Sequence, residues 1–113
     1  KSSSTFESGD IVIADLRFSD SEESKRRPLL VIAQREEMLD VAVLKITSVE
    51  RQSKFLVPLE IEDVEDGHLK KKSYIVADYI STIGTAVISQ KAGRVRAGKM
   101  AEVRAKVKAF LNL

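Results

Sequence analysis

The chain has 113 residues, of which 43% are hydrophobic and 32% charged, a composition typical of one soluble globular domain. It has no cysteine and a single histidine, which excludes disulfide frameworks, thiolate nucleophiles and histidine-based metal clusters. No apolar run approaches the roughly 20 residues of a membrane helix, and the first residues lack a signal-peptide pattern, so we expect a cytoplasmic protein.

The net charge of +2 conceals an asymmetry along the chain. Residues 1–69 carry nine basic and fifteen acidic side chains, a net charge of −6, whereas residues 70–113 carry ten basic and two acidic ones, a net charge of +8. Such a division suggests a basic face that attracts phosphates or an acidic partner. A solvated, lysine-rich helix face is the alternative explanation.

Short runs of strand-forming residues dominate the chain after a serine-rich segment, residues 1–8, which we predict to be flexible. Pro58 lacks a backbone N–H, so its strand should lie at a sheet edge or a bulge, and Asp66-Gly67 is a turn signal. The predicted strands are, in chain order, Asp10–Leu16, Leu29–Ala33, Val41–Ile46, Phe55–Ile61, Ser73–Ala77, Tyr79–Ile83 and Thr85–Ser89.

The carboxyl end changes from strand-like to helical periodicity. Apolar residues recur there at i, i+3 and i+7, which predicts a helix from about Gly98 to Leu111. The stripe consists of Met100, Val103, Val107, Phe110 and Leu111. Many short strands followed by one helix predict a mainly β protein with α, a small SH3-like β-barrel closed by a C-terminal helix.

The segment between the first two predicted strands is a polar loop that ends in Lys25-Arg26-Arg27-Pro28. Proline fixes its own φ and biases the preceding residue toward extended geometry, so we expect Pro28 to end the loop and to hold Arg27 at the junction with the strand. A guanidinium group there suits a phosphate. By themselves these residues indicate only a small β-rich domain with a cationic loop.

Three further positions could carry chemistry. Thr47-Ser48 follows a strand, where hydroxyl residues usually serve a turn. Asp78 is a lone acid in an apolar run and is costly to bury unpaired, so it serves either structure or function. His68 follows the Asp66-Gly67 turn and fits a surface histidine better than a general acid.

The layout of Gly9–Ile32, together with LKITS at its distance from Arg27, resembles the MazF/PemK family of toxins, the ribonuclease halves of bacterial toxin–antitoxin pairs. The resemblance implies a toxin domain over residues 9–113. The family's catalytic arginine precedes this proline and its catalytic threonine follows the third strand. These positions match Arg27 and Thr47. An acid at the position of Asp78 contributes to the site in some relatives, whereas Val76 stands where others carry an arginine.

The resemblance also implies that four further residues bind RNA. These residues are Lys25, Arg26, Ser48 and Glu22. The implied activity is that of a homodimeric, metal-independent endoribonuclease without a cofactor, which cuts single-stranded mRNA within a short sequence. The ribose 2′-hydroxyl would attack the adjacent phosphate and leave a 2′,3′-cyclic phosphate and a 5′-hydroxyl. An acidic antitoxin would inhibit it, and neither a membrane nor DNA would be a direct partner.

Two other functions fit the same barrel. One is a toxin that poisons DNA gyrase by protein contact through its terminal helix, and the other is a catalytically inactive RNA-binding relative. The pairing of Arg27 with Thr47 favours the nuclease. If Leu29–Ala33 and Val41–Ile46 pair antiparallel, these two side chains should meet at one rim of the barrel.

Overall fold

The computed structural model describes residues 6–16, 25–34 and 40–113. Within these ranges, the strands form a single antiparallel sheet in the order β4-β6-β3-β2-β1-β7-β5. The elements are β1 (Asp10–Leu16), β2 (Lys25–Gln34), β3 (Asp40–Thr47), β4 (Leu56–Leu59), β5 (Val64–Glu65), β6 (Ser73–Gly84), β7 (Ile88–Val95) and α1 (Ala97–Leu111). The sheet curls into a half-barrel, which confirms the predicted β fold with a C-terminal helix.

Both faces of the central strands are buried, which explains why their sequences are continuously apolar. On one face Ile11 and Leu30 belong to a cluster that α1 covers with Met100 and Val103. The opposite face carries a second cluster, formed by Val12, Ala14, Leu29, Val31, Val41, Val43 and Ile83. Successive residues of β2 therefore point to opposite faces of the sheet, so Arg26 and Arg27 leave the strand on different sides.

The helix agrees with its predicted range to within one residue. Arg96 precedes it without a side-chain cap, and Asn112 ends it in the left-handed conformation with φ of 66°, a common way to terminate a helix. Phe110 and Leu111, at its last turn, are 42% and 47% exposed. The predicted apolar stripe is therefore buried only in its first part. Among the described residues, no helix has the length and apolar character needed to cross a membrane.

Several predicted strand boundaries are wrong. β2 begins at Lys25 instead of Leu29, because Lys25–Leu30 pair with β1. The edge that carries Pro28 tolerates the missing N–H since β3 pairs with β2 only from Leu29 onward. β6 is one strand that continues through a bulge at Asp78 instead of two.

The carboxyl-terminal part of the sheet also differs from the prediction. Thr85–Val87 is a 3-10 turn, and β7 follows it over a stretch predicted as strand only at Ile88 and Ser89. The short β5 was not predicted at all. β4 is shorter than expected, but it is the edge strand that Pro58 indicated, so that prediction is confirmed.

Candidate active site

The site begins where β2 and β3 separate. The two strands pair antiparallel, as expected, and their pairing ends at Leu29 opposite Lys45. Beyond that last pair, β2 runs back through Arg27 and β3 runs on to its end at Thr47. Side chains two positions apart along a strand share a sheet face, so Arg27 lies on the face of Leu29 and Thr47 on the face of Lys45. Both residues line the opening between the strands.

A cleft of about 490 Å³ occupies this opening. It is lined by Arg26, Arg27, Pro28, Lys45, Ile46, Thr47, Ser48, Val49, Arg51, Lys71 and Ser73. Five of these described residues are arginine or lysine, and none is acidic. A concave surface lined by charges of one sign concentrates its field, so this cleft attracts a polyanion.

The two arginines at the start of β2 differ in their surroundings. Arg27 is half-buried with its Nε atom enclosed, and its backbone is held opposite Ala14 of β1. Arg26 is exposed, and its Nη2 atom donates to Ser89 Oγ at 3.2 Å and to Gln90 Oε1 at 3.4 Å. Because both belong to a paired strand and not to a loop end, the prediction of a loop-to-strand junction at Arg27 is wrong.

Thr47 closes the facing strand. Its Oγ1 atom accepts a hydrogen bond from the backbone N–H of Val49 at 3.1 Å, so the hydroxyl does serve a turn. A hydroxyl has one proton to donate besides its acceptor lone pairs. The turn therefore fixes the oxygen and leaves that proton for a negatively charged ligand in the cleft. Ser48 is exposed on the same rim.

Asp78, the third proposed catalytic residue, lies on β6. Asp78 is half-buried in a bulge of β6, where Ala77, Asp78 and Tyr79 fall between the pairs Lys45–Val76 and Leu44–Ile80. It is not among the described residues that line the cleft. Glu22 lies outside the described residues, as does the side chain of Lys25, the first residue of β2.

Sequence reasoning missed three cations of the cleft. Lys45 reaches over the ring of Tyr79, with 5.2 Å from Nζ to the ring centroid, while Arg51 and Lys71 are exposed on the rim. Lys45 stands in the LKITS segment, no local motif marks Arg51, and only the basic character of residues 70–113 points to Lys71. The adjacent Lys72 is bound to Glu60 at 3.1 Å, and this hydrogen bond raises the pKa of its ammonium group.

In the part of the chain described, no group of three or more histidine, aspartate or glutamate side chains is placed to hold a metal ion. The arrangement offers guanidinium, ammonium and hydroxyl groups around a concave surface, which are suited to holding a phosphate diester.

The sequence matches the family model described as PemK-like, MazF-like toxin of type II toxin–antitoxin system over residues 7–111. The chain therefore belongs to this family. A search of the curated proteins finds no match.

Solved structures share the fold at low sequence identity. An endoribonuclease in complex with its cognate antitoxin, from Mycobacterial species, is 20% identical with a TM-score of 0.77, over 96% of this chain and 97% of that chain. The Mycobacterium tuberculosis toxin MazF-mt6 is 24% identical with a TM-score of 0.73, and the match covers 92% of this chain and 97% of that chain. The MazE-MazF structure from Deinococcus radiodurans is 20% identical with a TM-score of 0.77, and the match covers 95% of this chain and 96% of that chain.

Proposed function

We propose that this toxin is a metal-independent endoribonuclease that cuts single-stranded mRNA. The observation that carries the proposal is the cationic cleft in which Arg27 and Thr47 come from facing strand ends. A ribonuclease needs a cation and positioning groups at one phosphate diester, and this cleft offers both. Family membership supports the same activity.

The proposed reaction is transesterification within the RNA. The ribose 2′-oxygen loses its proton to a base, forms a bond to the adjacent phosphorus, and the bond from phosphorus to the 5′-oxygen breaks as that oxygen gains a proton. Arg27 stabilises the negative charge that accumulates on the phosphate oxygens. The Thr47 hydroxyl donates to one of those oxygens and holds the phosphate in line. The products are a 2′,3′-cyclic phosphate and a 5′-hydroxyl.

The remaining cations of the cleft would hold the flanking phosphates. Arg26, Arg51 and Lys71 are exposed on its rim, where contacts to phosphates add affinity without selecting a sequence. Ser48 would donate to RNA from the same rim. Lys25 and Glu22 remain proposed RNA-binding residues on the family resemblance alone.

Asp78 remains a proposed catalytic residue on the same resemblance. Its bulge of β6 adjoins the cleft, because Lys45, which lines the cleft, pairs with Val76 and reaches over the ring of Tyr79. Asp78→Asn, which removes the charge and keeps the shape, tests the role. A loss of cleavage comparable with that of Arg27→Ala would support it, whereas unchanged cleavage would remove Asp78 from the mechanism.

We also propose a homodimer that an acidic antitoxin inhibits. The carboxyl end of α1 lies beside the β6 bulge. The ring centroids of Phe110 and Phe55 are 5.4 Å apart. The Phe55 carbonyl in turn accepts a hydrogen bond from the Ala77 N–H at 3.0 Å. Tyr79 and Phe110 are exposed at this place, 37% and 42% respectively. A second copy would cover these apolar groups. Sedimentation at micromolar concentration should therefore give a dimer, and a monomer would contradict it.

The activity itself is tested with purified protein and a long mRNA in excess chelator. We expect discrete fragments, because no step of the proposed reaction uses a metal. Binding without fragments would favour the inactive RNA-binding relative. Intact RNA together with inhibition of DNA gyrase supercoiling would favour the gyrase-directed toxin.

A further inference from the structure

A second cleft adjoins the first and shares Arg26 and Pro28 with it. It has a volume of about 570 Å³ and is lined by Ile11, Ile13, Arg26, Pro28, Gly67, His68, Leu69, Lys70, Gln90, Lys91 and Ala92. This size is within the range of small-ligand sites. The two clefts meet at Arg26, so one extended ligand can occupy both.

The wall of the second cleft is apolar and its rim is polar. Ile13 and Pro28, which are opposed on β1 and β2, give the wall together with Leu69. His68 and Lys70 are exposed on the loop that follows β5, and no described lining residue is acidic. The first cleft has a mostly charged and hydroxylic lining. The second cleft therefore offers an apolar surface for a nucleobase as well as cationic groups for a phosphate.

The fold holds the His68 loop against the sheet. Gly67 has a φ of 151°, and a Cβ atom there would overlap the carbonyl oxygen of Ala92 in β7. Only glycine permits this backbone approach at such a φ. The approach sets His68 beside the residues Gln90–Ala92 that form the other side of the cleft.

Arg26 is fixed at the boundary of the two clefts. Ser89 Oγ donates to the Ile13 carbonyl at 3.1 Å and accepts from Arg26, while Gln90 Oε1 accepts from the same guanidinium nitrogen. These contacts leave the other N–H groups of the Arg26 guanidinium for a ligand. A phosphate held there would lie between a nucleotide in one cleft and a nucleotide in the other.

We infer that the second cleft is a nucleotide subsite, which takes the residue of single-stranded RNA next to the one at Arg27 and Thr47. The base stacks on the His68 imidazole against the apolar wall, and its phosphate contacts Arg26 and Lys70. Unpaired bases commonly stack on aromatic rings, including histidine. The inference rests on the proposed function, because it assigns the bound strand to RNA.

The test uses labelled hexathymidylate, which lacks the 2′-hydroxyl and cannot undergo the proposed reaction. His68→Ala should weaken its Kd about tenfold, since removing an aromatic partner of one base has roughly that effect. His68→Phe keeps an aromatic face and should stay within about threefold of the parent protein. Lys70→Ala should lower the slope of log K against log salt by about 0.7. Lys108→Ala removes the same charge on α1, outside both clefts, and should leave Kd and slope unchanged.

Backbone amide shifts separate this inference from the proposed function. We expect hexathymidylate to shift amides of residues 45–51 and of residues 67–70 together. Shifts at 45–51 alone, with His68→Ala binding as the parent does, would overturn the subsite and leave the nuclease proposal intact. Shifts in neither segment would contradict RNA binding itself. If an oligoglutamate bound the second cleft as tightly as hexathymidylate does, the subsite would be overturned, because the cleft would then recognise negative charge and not a nucleobase.

Discussion

Replacement of Arg27 by alanine is the perturbation that most sharply separates catalysis from folding. Arg27 is half-buried beside the proposed phosphate site, so an effective dielectric of about 20 is appropriate. A unit charge about 4 Å from the phosphate then contributes on the order of 4 kcal/mol at most. Loss of one comparable donor reduces rates about 10²- to 10³-fold, or roughly 3–4 kcal/mol. The Coulomb figure is an upper limit, because only the charge added in the transition state counts, and the loss from removing a donor lies within it. We therefore expect kcat to fall about 10²- to 10³-fold.

The stability of Arg27→Ala should change little by comparison. The substitution removes part of a half-buried stem, an effect of about 1 kcal/mol, or roughly 5 °C in Tm. Single-turnover cleavage of a defined RNA and thermal unfolding measure the two effects. Arg104→Ala is the matched control, since Arg104 is an exposed arginine on α1 that contacts Ser8. Near-parental cleavage by well-folded Arg27→Ala would refute the proposed mechanism.

The other predictions concern the facing strand, the rim and the loop. Thr47→Val keeps the shape without the hydroxyl and should slow cleavage at least about tenfold, whereas Thr47→Ser should retain most of the rate; equal rates would remove the hydroxyl from the mechanism. Arg51→Ala should weaken RNA binding and lower the salt slope of log K by about 0.7, and an unchanged slope in a filter-binding titration would show that Arg51 contacts no phosphate. Gly67→Ala should destabilise the fold by about 1–3 kcal/mol, seen as a lower midpoint in urea, and an unchanged midpoint would contradict the close approach to β7.

Local sequence was sufficient to predict those elements whose packing follows directly from the pattern of apolar and polar residues. The bounds of β1 were predicted correctly because Ile11–Ala14 is apolar on both faces and the flanking residues are polar. The presence of Arg27 and Thr47 at one rim also followed from the chain, since consecutive strands with a short connection usually pair antiparallel. The structure shows that pairing and places both residues in the lining of one cleft, whereas their catalytic roles remain proposals.

Other features depend on contacts between distant segments. β7 reads ISQKAGRV, a sequence with little strand propensity, and it forms because β1 and β5 pair with its two sides. The proximity of Arg51 and Lys71 to the cleft has no local signal, because the curl of the sheet brings them there. His68 likewise reads as an ordinary turn residue until the Gly67 approach to β7 places it in the second cleft.

The chemistry of the RNA ends tests the central claim most directly. A long mRNA is incubated with the purified protein in excess chelator, and the termini at each mapped cleavage site are identified. Attack by the 2′-hydroxyl predicts a 2′,3′-cyclic phosphate on the upstream fragment and a 5′-hydroxyl on the downstream one. Cleavage that requires added magnesium and leaves a 5′-phosphate would contradict the account, and so would RNA that stays intact.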